Sequence, residues 1–124
     1  MSDHTTLLTE PLLRYLAEHT TPEDDFLRSL KRAAIEEDFP AIWIAPEQGS
    51  FLQILLRLGG AREVIEIGTL AGYSAIWMAR ALPADGHVRT IEISGKRADF
   101  AEKWVQDSDV AAKIRIFQGP AEDI

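Results

Sequence analysis

The chain has 124 residues, 46% of them hydrophobic and 27% charged, with a formal net charge of −7 from 13 basic and 20 acidic side chains. That is ordinary globular composition with room for one core. The absence of cysteine removes disulfides, thiolate metal sites and cysteine nucleophiles, and the sparse Lys and Arg argue against a nucleic-acid partner. Apolar runs fall far short of the roughly 20 residues that span a bilayer, and Met1–Glu10 lacks a basic start followed by an apolar block. A cytoplasmic protein that binds small molecules is expected, without nucleic acid or membrane as partner.

Leu8, Leu12, Tyr15 and Leu16 recur at helical spacing and predict an amphipathic helix ending near His19. Thr21-Pro22-Glu23-Asp24 then offers a hydroxyl cap, a proline for the first helical position and acids for the first turn. The second helix should run from Pro22 to about Glu36, burying Phe26 or Leu27, Leu30 and Ala33 or Ala34. Phe39-Pro40 stops it, because a residue before proline avoids helical angles. Ile42-Trp43-Ile44 lies between two prolines and can be no more than a short extended segment. Phe51, Ile54, Leu55 and Leu58 mark the expected buried face of a third helix, which Gly59-Gly60 ends.

From Glu63 the pattern changes. Val64-Ile65-Glu66-Ile67 is apolar on both faces apart from one carboxylate, as in a buried parallel strand. A glycine turn, a helix from about Gly72 to Leu82, a Pro83-Ala84-Asp85-Gly86 turn and a strand from Val88 to Ile93 follow. Ser94 opens another helix with Ala98, Ala101, Trp104 and Val105 inward, and Ile114 to Phe117 forms a last strand. This β-α-β-α-β succession predicts an α/β fold, a Rossmann-like parallel sheet with right-handed crossovers. The preceding residues, 1–45, form an N-terminal helical extension, and 46–124 the nucleoside-binding part.

Glu66-Ile67-Gly68-Thr69-Leu70-Ala71-Gly72-Tyr73-Ser74 carries the chemistry. A turn between a buried strand and a helix start lets a ligand approach closely and offers it free N–H groups. The glycines are spaced G-x-x-x-G after an acid, unlike the G-x-G-x-x-G of dinucleotide binders. A carboxylate repels a pyrophosphate, whereas a ligand with an ammonium and a carboxylate suits Glu66 and Ser74 together. Glu92, 20 residues after Gly72, stands where a βαβ unit places the acid that accepts both ribose hydroxyls. Gly119-Pro120-Ala121-Glu122 follows the third strand, where backbone could edge an adenine ring. The bland alternative for Glu66 and Glu92 is a strand-end acid capping a loop, and for Ser74 an ordinary helix-start hydroxyl. Tyr73, Trp43 and Trp77 read as packing residues, and His4, His19 and His87 as surface histidines.

These residues resemble the S-adenosylmethionine-dependent O-methyltransferases of the catechol and caffeoyl-CoA type, particularly their bacterial members. The similarity covers roughly Ile42 to Ile124, and the E-I-G-T-x-x-G-Y-S string is its most specific part. The resemblance implies that Glu66 and the Gly68-Thr69 backbone hold the methionine part of S-adenosylmethionine, with Gly72 also among the cofactor-binding residues. Ser74 would bind its carboxylate and Glu92 the ribose, while the main chains of Ala121 and Ile44 make further contacts. Pro120 stands where many members have an acid, so a side-chain bond to the adenine amino group is lost.

The family's divalent-metal ligands (for a Mg2+-type ion) and its catalytic groups lie on later strands, so neither catalytic nor metal-binding residues are assigned here. Asp107, Asp109 and Asp123 show no metal-ligand pattern. The chain is expected to be the N-terminal part of such an enzyme, inactive alone, supplying the cofactor cradle for methylation of a small aromatic hydroxyl acceptor. In the family's strand order Val64–Ile67 would be an apolar edge that invites a homo-oligomer such as a dimer. The alternatives are a non-catalytic nucleoside-binding or subunit-pairing module and, disfavoured by the glycine spacing, half of an NAD-dependent oxidoreductase.

Overall fold

The computed structural model describes residues 7–123. Helices α1 (Glu10–His19), α2 (Asp25–Glu36) and α3 (Pro46–Leu58) precede strand β1 (Glu63–Ile67). Helix α4 (Tyr73–Ala79), strand β2 (His87–Glu92), helix α5 (Gly95–Gln106) and strand β3 (Ile114–Gln118) follow, with short 3-10 turns at Ala111–Lys113 and Ala121–Asp123. The sheet is parallel in the order β1-β2-β3, with Glu66 beside Thr90 and Glu92 beside Gln118. The expected β-α-β-α-β unit is therefore present, with β1 at an edge.

Helices α4 and α5 both pack on the sheet face carrying Val88, Thr90 and Ile114, which are buried. Right-handed crossovers between neighbouring strands taken in one direction put both helices on one side. The other face is bare among the described residues: Ile65 is 71% and Ile67 75% exposed. This corrects the reading of β1 as a strand covered on both faces. The core combines Trp77, Tyr73, Ile76 and Val88 with Leu27, Leu30 and Ala34 of α2, so α2 shares the sheet's core, whereas α1 contributes no buried residue to it.

The third helix also differs from its sequence pattern. Phe51, Ile54, Leu55 and Leu58 point outward, while Gly49, Ser50 and Gln53 are buried. Backbone approach and hydrogen bonding decide the orientation. A Cβ on Gly49 would stand 2.6 Å from Trp77 Cδ2, so only glycine lets α3 lie against that indole. Gln53 Nε2 donates to the Trp77 carbonyl at 2.8 Å, and Ser50 Oγ accepts the Thr21 N–H at 3.1 Å. Ser50 and the Gln53 amide nitrogen are thus buried with partners while the apolar side chains remain outside, although Gln53 Oε1 and the Trp77 indole nitrogen lack partners at this contact.

Two other boundaries shift. Asp24 caps α2, its carboxylate accepting the Leu27 N–H at 2.9 Å, so Thr21 and Pro22 stay outside the helix. A carboxylate one turn later caps better placed N–H groups and complements the dipole. Leu27, Leu30 and Ala34 form the buried stripe. In α1, Leu12 and Leu16 are half-buried, but Leu8 and Tyr15 are exposed, and Tyr15 stacks on His19 at 4.0 Å. Helix α4 ends at Ala79, the chain turning through Arg80 to Leu82. Lys96 reaches Glu37 at 3.1 Å, and this exposed ion pair ties α5 to the end of α2. His19 and His87 are exposed as expected, and His4 lies outside the described residues.

Candidate functional site

Strands β1, β2 and β3 end side by side, and their following loops surround a cavity of about 690 Å³. Two backbone N–H groups pin the loop from Gly68 to Gly72 to β2: Gly68 N–H donates to the Ile91 carbonyl and Leu70 N–H to Glu92 Oε2, each at 2.8 Å. Leu70 adopts φ 52° and Gly72 φ 85°. Gly72 is the left-handed N-cap of α4, a conformation glycine accepts without a Cβ penalty.

Of the residues singled out from sequence, Ile44, Glu66, Gly68, Thr69, Ser74, Glu92 and Ala121 line the cavity. Gly72, expected among the cofactor-binding residues, does not line the cavity; it stands behind the loop, where a Cβ would meet Val105 Cγ2 at 3.5 Å. Its part is to turn the chain into the helix. Trp43, Tyr73, Leu70 and Arg97 also line the cavity. The sequence pattern presents Trp43 and Tyr73 as packing residues and Arg97, in the first turn of α5, as part of a solvated basic face, and it assigns Leu70 no role. The position of Leu70 inside the glycine motif was the one available signal. Tyr73 is nevertheless held as a packing residue, buried, with its hydroxyl donating to Glu23 Oε1 at 2.6 Å.

Glu66 accepts two side-chain hydrogen bonds, from Ser74 Oγ on one oxygen and from Thr90 Oγ1 at 2.6 Å on the other. Burial pushes its carboxyl above the ordinary glutamate value, and the two hydroxyl bonds hold the rise in check. Both are neutral groups, so the charge of ionised Glu66 is solvated but not balanced. A cationic ligand group would balance it.

Glu92 is 4% exposed. Its Oε2 accepts the Leu70 N–H and its Oε1 the Ser94 N–H at 3.0 Å. Each oxygen retains capacity for a second donor. The Glu92 carbonyl in turn accepts the Gly119 N–H at 3.0 Å, which brings the loop of Pro120 and Ala121 to the same cavity. The acid is thus both a loop anchor, the bland reading, and a cavity-facing acceptor.

Among the described residues no group of three or more His, Asp or Glu could hold a metal ion. Asp109 is engaged with Arg80 at 2.8 Å. Among those residues no helix is long and apolar enough to cross a membrane.

Known proteins share this sequence and this arrangement. The catechol O-methyltransferase of Niastella koreensis is 41% identical over 115 residues, covering 93% of this chain and 52% of that protein. That of Mycobacterium tuberculosis is 38% identical over 101 residues, covering 82% and 46%. The O-methyltransferase from Bacillus cereus, solved in complex with S-adenosylhomocysteine, superposes with a TM-score of 0.83 at 37% identity, covering 89% of this chain and 50% of that one. The Streptomyces achromogenes O-methyltransferase TomG, solved with S-adenosylmethionine, gives 0.81 at 39% identity, over 90% and 50%. The chain therefore spans about half the length of the relatives it matches. The O-methyltransferase family model covers residues 17–124, and the chain belongs to that family.

Proposed function

We propose that this chain forms the S-adenosylmethionine cradle of an O-methyltransferase acting on a small acceptor with an aromatic hydroxyl. The observation that carries the reading is the convergence, in one cavity, of Glu66 and Ser74 with Glu92 and the Ala121 loop. The donor set fits the ligand. Glu66 offers an uncompensated carboxylate to an ammonium, and a Cβ built on Gly68 has nothing within 4 Å, leaving open space for close approach to that backbone. Glu92 offers two acceptor sites to vicinal ribose hydroxyls. The hydroxyl of Ser74 donates to Glu66, so holding a ligand carboxylate requires it to turn away from Glu66. An ammonium placed against Glu66 makes that exchange favourable.

When bound, the cofactor supplies an electrophilic sulfonium methyl group. The residues of this chain bind and orient it by these contacts, fixing the direction in which an acceptor oxygen must approach. A divalent metal belongs to this reading only for full-length relatives. Cytoplasmic location is part of the proposal, supported by the intracellular supply of such a cosubstrate. So is pairing of subunits, supported by the exposed apolar edge of β1.

Thermal unfolding in rising concentrations of S-adenosylhomocysteine tests the reading. A ligand that binds only the folded chain raises the midpoint progressively, by about 2.7 kcal/mol of stability at 100 times its dissociation constant. A midpoint that does not move up to millimolar ligand overturns it.

A further inference from the structure

Thr90 is fully buried on β2 and does not line the cavity. Its hydroxyl nevertheless lies at the centre of a polar chain reaching into it. Thr90 Oγ1 is 2.6 Å from Glu66 Oε2 and 2.6 Å from Thr69 Oγ1. The directions of these bonds follow from counting protons. Ionised Glu66 has none, so Thr90 must donate to it; Thr90 then has no other proton, so Thr69 must donate to Thr90. Ser74 donates to the other Glu66 oxygen. The order is Thr69 to Thr90 to Glu66, with Ser74 entering from α4.

We propose that Thr90 is a positioning residue of the nucleoside site, its hydroxyl fixing the Glu66 carboxylate and locking Thr69 of the glycine loop to the sheet. This rests on the reading of the cavity as an S-adenosylmethionine cradle. The geometry favours a positioning role over simple packing because a valine would fill the same volume. Only the hydroxyl joins three elements: β1 through Glu66, the loop through Thr69, and β2. Its loss leaves Thr69 without its acceptor and one Glu66 oxygen without its donor, in a place where unmet polar groups are costly. Apart from burial, the groups that set Glu66's titration are Ser74 on α4 and Thr90 on β2. The other titratable residues lining the cavity are Glu92, Arg97 and Tyr73.

The test compares Thr90→Val with the wild-type chain by titrating S-adenosylhomocysteine between about pH 5 and 9. Thr90→Val should weaken binding by about 10-fold and move the acid limb of the pH profile upward, because Glu66 loses one of its two side-chain donors. Thr90→Ser, which restores the hydroxyl, should stay within about 3-fold of wild type. If the valine variant does not fold, Thr90→Ala against Thr90→Ser isolates the hydroxyl at nearly constant size, and the serine variant should bind at least about 5-fold more tightly. Equal affinities with superimposed pH profiles overturn the proposal. Should the wild-type chain bind no S-adenosylhomocysteine, the cradle reading fails by itself. The Thr90 link is then read from the carbon-13 titration of the Glu66 carboxyl, where an unchanged midpoint in Thr90→Val contradicts it and a raised one supports it.

Discussion

Leu70 gives its N–H to Glu92 Oε2 at 2.8 Å while holding a left-handed φ of 52°. That conformation costs a non-glycine residue about 1–2 kcal/mol. A charge-assisted bond contributes about 1.5–3 kcal/mol, enough to hold the turn. Glu92 therefore shapes the loop before any ligand arrives. Glu92→Ala should weaken S-adenosylhomocysteine binding by about 10- to 100-fold and also lower thermal stability. Glu92→Gln keeps one acceptor oxygen but turns an amide N–H2 toward the other backbone donor, so it should recover only part of both losses. Calorimetry and thermal unfolding on the same samples measure the two effects, and unchanged affinity in the alanine variant would make the acid purely structural.

Glu66 predicts a pH dependence of stability. Burial raises its native pKa above the ordinary 4.5, so the folded chain binds this proton more tightly than the unfolded chain. Stability from this group is fully present below about 4.5, falls as pH rises through the raised native value, and is level thereafter. Glu66→Gln should remove that falling limb and leave the variant relatively more stable at neutral pH. Chemical denaturation over a pH series measures it; a wild-type limb retained in the glutamine variant would assign the effect to another group.

The alternation of Val64–Ile67, Val88–Ile93 and Ile114–Phe117 with helical segments was enough to predict the sheet, and the glycine motif led to most of the cavity. The orientation of α3 was not legible. Phe51, Ile54, Leu55 and Leu58 form the apolar stripe that periodicity assigns to a core, whereas the contact that wins is Gly49 against Trp77, 28 positions away in the sequence. Nor could Thr90 be recognised. A threonine within a strand reads as a β-branched packing residue, and its hydroxyl acquires meaning only when the register sets it beside Glu66.

Gly49→Ala checks that contact. Its new Cβ would sit 2.6 Å from a Trp77 ring that is almost wholly buried and cannot yield. A loss of about 1–3 kcal/mol is expected, read by urea denaturation. A neutral result would show that α3 can draw back without cost.

The bare face of β1 makes self-association the expected behaviour of the chain in solution. Light scattering should give a mass above that of one chain, and Ile65→Thr with Ile67→Lys should reduce it toward the monomer. A monomeric wild-type chain would contradict the role given to this edge.

Calorimetric titration of the chain with S-adenosylhomocysteine and, separately, with NAD distinguishes an ammonium-accepting cradle from a pyrophosphate site. Glu66 attracts the amino-acid end of the first ligand and repels the phosphates of the second. Saturable binding of S-adenosylhomocysteine, at least about 10-fold tighter than NAD, is the predicted result. Tighter binding of NAD would contradict the assignment of this cavity to S-adenosylmethionine.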